Sequence, residues 1–200
     1  MSAYRKIVAS ALIFGTVVSP ALADNRYGVF DIGPVYAVDA CNGLDPEVKG
    51  CKDVATLVRI GGGYQFTPMW GAEVAYAQSG SSRAGMILGT SVYWQVRGLQ
   101  LSGIGTFPIE YPLLSKLWGS LSGNVSFLTK LGVARTELRL SGGYSARATT
   151  TKLMYGIGAQ YDSNKRYSAR VLIEDWGIAG NDSTGTSRIG LISVGVIYKY

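Results

Sequence analysis

Apolar and polar positions alternate along this chain in short runs. MWGAEVAYAQ sets Trp70, Ala72, Val74 and Tyr76 on one face and Gly71, Glu73, Ala75 and Ala77 on the other. VATLVRIGGGYQF sets Val54, Thr56, Val58, Ile60, Tyr64 and Phe66 against Ala55, Leu57, Arg59, Gly61, Gly63 and Gln65. KLMYGIGAQY opposes Leu153, Tyr155, Ile157, Ala159 and Tyr161 to Met154, Gly156, Gly158 and Gln160, and YSARVLIED opposes Tyr167, Ala169, Val171 and Ile173 to Ser168, Arg170, Leu172 and Glu174. The closing GLISVGVIYKY puts Ile192, Val194, Val196, Tyr198 and Tyr200 in one phase. A period of two is the mark of a β-strand. One face is aliphatic with aromatics toward an end, and the other is small with an occasional charge. A water-facing surface would carry many Lys, Glu and Thr. Gly, Ala, Ser and Gln instead suit the interior of a narrow barrel. The aliphatic face then meets lipid, with aromatic residues at the membrane boundaries.

Counted this way the chain predicts eight strands, at 27–38, 54–66, 69–79, 96–108, 124–138, 151–161, 166–176 and 187–200. An even number lets an antiparallel meander close, and closure leaves no unpaired edge in hydrocarbon. Connections at Thr67-Pro68 and 162–165 are tight, whereas 39–53 and 80–95 are long, and 139–150 and 177–186 are intermediate. Short turns on one side and long loops on the other are the arrangement of an outer-membrane barrel. Two stretches interrupt the pattern. Residues 110–123 (EYPLLSKLWGSLSG) stand where a short turn is expected, as an extended hairpin or an interfacial helix. In AGMILGTSVYWQV, Met86, Leu88, Val92, Trp94 and Val96 share a phase opposite to that of Leu99 and Leu101. A bulge near Gly98 or a separate extracellular strand extension accounts for that switch.

The first 23 residues belong to a different element. Arg5 and Lys6 precede the apolar stretch IVASALIFGTVV, and Ala21-Leu22-Ala23 closes it. This is the form of a secretory signal peptide cut after Ala23, leaving residues 24–200 as one domain. Removing its two cations leaves 17 against 13 anions, a net charge of +4. Charged residues make up only 16 %, and no later apolar run is long enough for a membrane helix, so neither a disordered nor a helical-membrane protein fits. Export suits the two cysteines. Cys41 and Cys51 flank CNGLDPEVKGC, and a disulfide between them would restrict the unfolded chain by about 2.5 to 3 kcal/mol on the chain-entropy model.

In the segments GGGYQFTPMWGAEVAYAQSG, GLQLSGIGTFPI, KLGVARTEL, YGIGAQYD and SVGVIYKY, by their order and spacing, the mature chain resembles the eight-stranded OmpA-type outer-membrane β-barrel family. The resemblance implies an all-β, up-and-down antiparallel transmembrane barrel in the bacterial outer membrane, exported through the periplasm. It also implies that Tyr198 and Tyr200 carry the signal read by the barrel-assembly machinery. It covers the barrel alone, so a peptidoglycan-anchoring role is not expected. The role implied is structural or interactive, with loops presented outside the cell and the partner of those loops unidentified.

Candidate chemistry is sparse. The sequence has no histidine, and neither an S-x-x-K pattern nor a G-x-S-x-G elbow is present. No enzymatic activity, cofactor or metal is expected, and nucleic-acid binding is not expected of an exported barrel. The inward charges are more informative. Asp31, Arg59, Glu73, Lys130, Arg170 and Glu174 number three of each sign, and buried singly each would be costly. They are expected to pair as a lumen network that closes the barrel. A gated low-conductance channel is the alternative, with a histidine-independent enzyme or a soluble lipocalin-like carrier further behind. Arg83, Arg139, Arg147 and Lys152 fall near the extracellular ends, where they suit anionic lipopolysaccharide beside the surrounding outer-membrane lipid. A monomer is expected.

Overall fold

The computed structural model of the chain describes residues 25–38, 51–87, 90–109 and 125–200. Nine strands follow in order: β1 Arg26–Val38, β2 Val54–Gln65, β3 Trp70–Ser79, β4 Ser82–Ile87, β5 Thr90–Pro108, β6 Val125–Gly142, β7 Ala146–Asp162, β8 Tyr167–Asn181 and β9 Gly185–Lys199. Every pairing is antiparallel. β1 joins β9, β3 joins β5, and the sheet closes on itself. Eight strands form the wall, as expected. The ninth, β4, lies within the stretch expected to be a long loop and pairs with the start of β5, from Ser82↔Trp94 to Ile87↔Thr90. It carries on the line of β3: the Gly80 amide donates to Thr56 O at 2.8 Å and the Lys52 amide donates to Arg83 O at 2.8 Å.

The alternation predicts the facing of the side chains. Ile60, Leu131 and Leu153 point outward at 64 %, 65 % and 72 % exposure, while Arg59, Lys130 and Met154 beside them are buried. Exposed aliphatic rows on this scale would drive association in water, and a lipid annulus covers them in a membrane. At the tight-turn end the aromatic rings cluster. Trp70 meets Phe107 edge-on at 5.5 Å, and Tyr198 packs against both Tyr167 and Tyr200 at 5.2 Å. This end also holds the seam, where the Tyr200 amide donates to Arg26 O at 3.1 Å. The strands stop close to these aromatic rows and run on past the apolar band at the other end, so this is the end that an outer-membrane barrel turns to the periplasm.

The strands run further at the opposite, extracellular end than hydrophobicity suggested. β6 continues to Gly142, β7 starts at Ala146 and β8 reaches Asn181, so the expected loops 139–150 and 177–186 contract to 143–145 and 182–184. Asn181 closes the latter, its Oδ1 accepting from the Ser183 and Thr184 amides at 3.0 and 3.1 Å. Pairing persists through Arg139↔Arg147, where the outward residues are Arg and Thr. The period of two survives beyond the membrane. What ends there is the aliphatic character of the outward face.

The phase switch in β5 has the same cause. β5 pairs with β6 without interruption from Val92↔Gly142 to Pro108↔Ser126, so there is no bulge at Gly98. Trp94 and Val96 point inward and Leu99 and Leu101 outward along one continuous strand. The apolar residues change sides because the environment changes: above the membrane the dry side is the lumen. The register breaks elsewhere, between Arg83 and Gly85 and between Asp175 and Ile178. In the second, Gly177 takes φ +74°, a left-handed conformation that suits glycine, and its amide donates to Asp175 Oδ1 at 2.7 Å. Residues 1–23, expected to be a leader, and the 110–123 segment lie outside the described residues.

Candidate functional site

All six inward charges meet at mid-height in the barrel. Asp31 stands on β1, Arg59 on β2, Glu73 on β3, Lys130 on β6, and Arg170 and Glu174 on β8. Arg59 Nε donates to Asp31 Oδ2 at 2.8 Å, and its Nη1 donates to Glu174 Oε2. Lys130 Nζ stands 3.0 Å from Glu174 Oε1 and 3.0 Å from Glu73 Oε1. Arg170 Nη1 reaches Glu73 Oε2 at 2.7 Å, while its Nη2 and Nε take Asp31 Oδ2 at 2.7 Å and Oδ1 at 2.8 Å. Followed round, the order is Asp31, Arg59, Glu174, Lys130, Glu73, Arg170 and back to Asp31. This is a closed ring of alternating sign in which every charge has two opposite neighbours. Each of the six residues is at most 3 % exposed. Such burial is tolerable only when each charge is matched and hydrogen-bonded.

Two further strands complete the ring. Gln100 on β5 accepts from Lys130 at 3.2 Å and from Arg59 at 3.4 Å, and Ser193 Oγ on β9 accepts from Arg59 Nη2 at 3.4 Å. Glycines do the rest. Gly195 on β9 is the cross-strand partner of Asp31 on one side and Arg170 on the other. Without a side chain there, the two ions bond across the intervening strand, and a Cβ on Gly195 would stand 1.9 Å from Asp31 Oδ1. Gly156 on β7 does the same between Lys130 and Glu174. A Cβ there would meet Glu174 Cγ at 2.8 Å.

Gly→Ala within a strand ordinarily gains about 0.5–1 kcal/mol. Gly195→Ala should instead destabilise by about 1–3 kcal/mol, the cost of overpacking. Denaturant unfolding in detergent micelles measures it, and a gain in stability would show that Gly195 is not a window.

Above the ring the lumen is apolar. Val35, Leu57, Trp94, Val96, Met154 and Trp176 belong to one buried cluster on the extracellular side. Trp176 is 1 % exposed and heads the largest fully buried side chains; a Cβ on Gly98 would lie 3.0 Å from its six-membered ring. Below the ring a cavity of about 250 Å³ opens to the periplasmic end, with Gln65, Gln160, Asp162 and Lys199 among its lining and Lys130 and Arg170 at its inner limit. Two tiers thus fill the lumen, one of paired charge and one of packed hydrocarbon.

Reading the sequence brought the six charges to the right face. It missed Gln100, Ser193 and Trp176, although the alternation of β8 extended two residues past Glu174 points to Trp176. Tyr198 and Tyr200 end the outward row of β9 at the periplasmic boundary. Lys152, in the inward phase of β7, is exposed near the β8 bulge, and a Cβ on Gly177 would stand 3.0 Å from its Cβ. Cys41 lies outside the described residues, and no described cysteine is free. Its pairing with Cys51 stands as a proposal, read by the mass gained on reduction. No group of three or more His, Cys, Asp or Glu residues that could hold a metal occurs among the described residues.

A closed antiparallel barrel with a lipid-facing outer wall, aromatic residues at its boundary and a plugged polar core defines a small outer-membrane β-barrel protein. The chain belongs to the outer membrane protein beta-barrel domain family, whose model matches residues 9–199. Solved structures similar to it include Neisserial surface protein A (15 % identity, TM-score 0.57, covering 88 % of this chain and 97 % of that one). They also include Ail, the attachment invasion locus protein of Yersinia pestis (17 %, TM-score 0.52, 88 % and 99 %). A third is the N-terminal β-barrel domain of OprF of Pseudomonas aeruginosa (14 %, TM-score 0.54, 88 % and 98 %). At these identities the likeness is one of fold. No curated protein matches the chain by sequence.

Proposed function

We propose that this protein serves the outer membrane by structure and surface contact, and that solutes do not pass through it. The observation that carries this is the double seal: a neutral six-charge ring with every ion paired, under an apolar plug that includes Trp94 and Trp176. A conducting lumen needs a continuous wet path, and neither tier supplies one. Two of the similar barrels are named as a surface protein and an attachment invasion locus protein. A comparable role here would use the extracellular ends of β4 to β9. Catalysis has little to draw on, since the chain has no histidine.

In planar bilayers the refolded protein is expected to give no persistent conductance steps. Reproducible steps on the nanosiemens scale from protein that runs as a folded, heat-modifiable band would overturn the reading in favour of a small channel.

A further inference from the structure

The outward face carries one feature that neither the sealed lumen nor the lipid-facing band explains. Just above the apolar band, β5, β6 and β7 present Arg97, Arg135, Arg139 and Arg147 on the same side of the sheet. Arg139 and Arg147 are direct cross-strand partners, an arrangement in which like charges repel. Arg135 lies two positions from Glu137, whose partner across the ladder is Arg97. Arg83 extends the stripe through its pair with Tyr93. Against these five cations, among the described residues, one carboxylate forms an ion pair: Glu137, at 3.3 Å from Arg147 Nε. Arg97 Nε has no hydrogen-bond partner.

On β8 and β9 the outward arginine is balanced. There Asp175 takes Arg188 Nε at 2.6 Å, and Tyr155 OH completes the set by donating to Asp175 at 3.0 Å and accepting from Arg188 at 2.7 Å. The positive charge is therefore concentrated on one side. Guanidinium groups in a row are suited to phosphate, which they hold with paired, charge-assisted hydrogen bonds.

The surroundings choose the kind of phosphate. Arg135 is paired directly with Leu99, which is 53 % exposed, and two residues below it Val133 pairs with Leu153, which is 72 % exposed. From Arg135 the stripe climbs four residues to Arg139, roughly 13 Å along the strand. Arginine thus meets bare hydrocarbon-facing surface with no polar step between. A soluble anion would use the upper part and leave the lower part uncovered. An amphiphile with phosphates above acyl chains covers both.

We propose that the stripe of Arg97, Arg135, Arg139 and Arg147 binds the headgroup phosphates of an outer-leaflet glycolipid whose acyl chains lie along Leu99, Val133 and Leu153. The inference rests on the reading of the chain as a barrel acting through its outer surface, and names the partner of that surface.

The test uses full-length mature protein refolded in detergent micelles, with heat-modifiable gel migration confirming the fold of each variant. Lipid A carrying both phosphates should raise the unfolding temperature of the wild type, and added salt should weaken the effect. Lipid A stripped of phosphate, and inorganic phosphate alone, should not. The double variant Arg139→Gln/Arg147→Gln should lose about tenfold or more in apparent affinity while still folding. Arg188→Gln, on the balanced sector, should bind as the wild type does. Equal binding of the dephosphorylated lipid, or an unchanged affinity in the double variant, overturns the proposal. A shift with inorganic phosphate as large as with lipid A marks a general anion patch and overturns the lipid assignment. Conductance of the lipid-loaded barrel would sink the sealed-lumen reading and leave the binding result standing.

Discussion

Arg170→Leu is expected to lower the unfolding free energy by about 3–5 kcal/mol, the cost of leaving buried charge without its partner. Arg170 ties Asp31 and Glu73 together through Nε, Nη1 and Nη2. Its loss leaves three carboxylates facing Arg59 and Lys130 at the buried inner limit of the periplasmic cavity. Adding Asp31→Asn removes the surplus negative charge, so the double variant should be less destabilised than the sum of its parts. The difference gives the coupling across Gly195. Denaturant titration in micelles, with the slope compared between variants, separates lost stability from an altered unfolded state. A loss below about 1 kcal/mol at unchanged slope would mean that the ring relaxes or hydrates, against the closed geometry described here.

Trp176→Ala is expected to cost about 3–5 kcal/mol as well, for a different reason: it empties the largest fully buried site among the described residues. Trp176→Phe should cost under about 1.5 kcal/mol, because the ring volume is mostly kept. It also removes an indole N–H that has no hydrogen-bond partner. Neither this change nor Arg170→Leu should make the barrel conduct, because each leaves the other tier in place. Only the combination of Arg170→Leu with Trp176→Ala is expected to give current in planar bilayers. Steps from Trp176→Ala alone would show that the charge ring is no barrier, and the two-tier account would fail.

These predictions draw unequally on what could be read from the residues in order. The facing of Arg59, Glu73, Arg170 and Glu174 was legible because a strand has a strict period of two. Their neighbours Val58, Val74, Val171 and Ile173 were aliphatic enough to fix which face was which. The extent of the strands was less legible. Before Leu153 on β7 the outward positions are Thr151, Thr149 and Arg147, and a reading keyed to hydrophobicity starts the strand at 151 although pairing begins at Ala146. The bulge near Gly98, one of the two accounts offered for the phase switch, came from the same assumption, that the apolar side is always the lipid side.

What the order of residues determined by itself was the kind of object: a β-barrel with an oily outside and a small, sparsely charged inside. That much is local, since each strand carries its own alternation and needs no knowledge of its neighbours. What only the tertiary structure decided was who meets whom. Asp31 and Arg170 are 139 positions apart and touch across a glycine on a third strand. The arginines of β5, β6 and β7 become one stripe only once register aligns them. Closure sets these relations, because the shear that joins the first strand to the last fixes every height around the wall together.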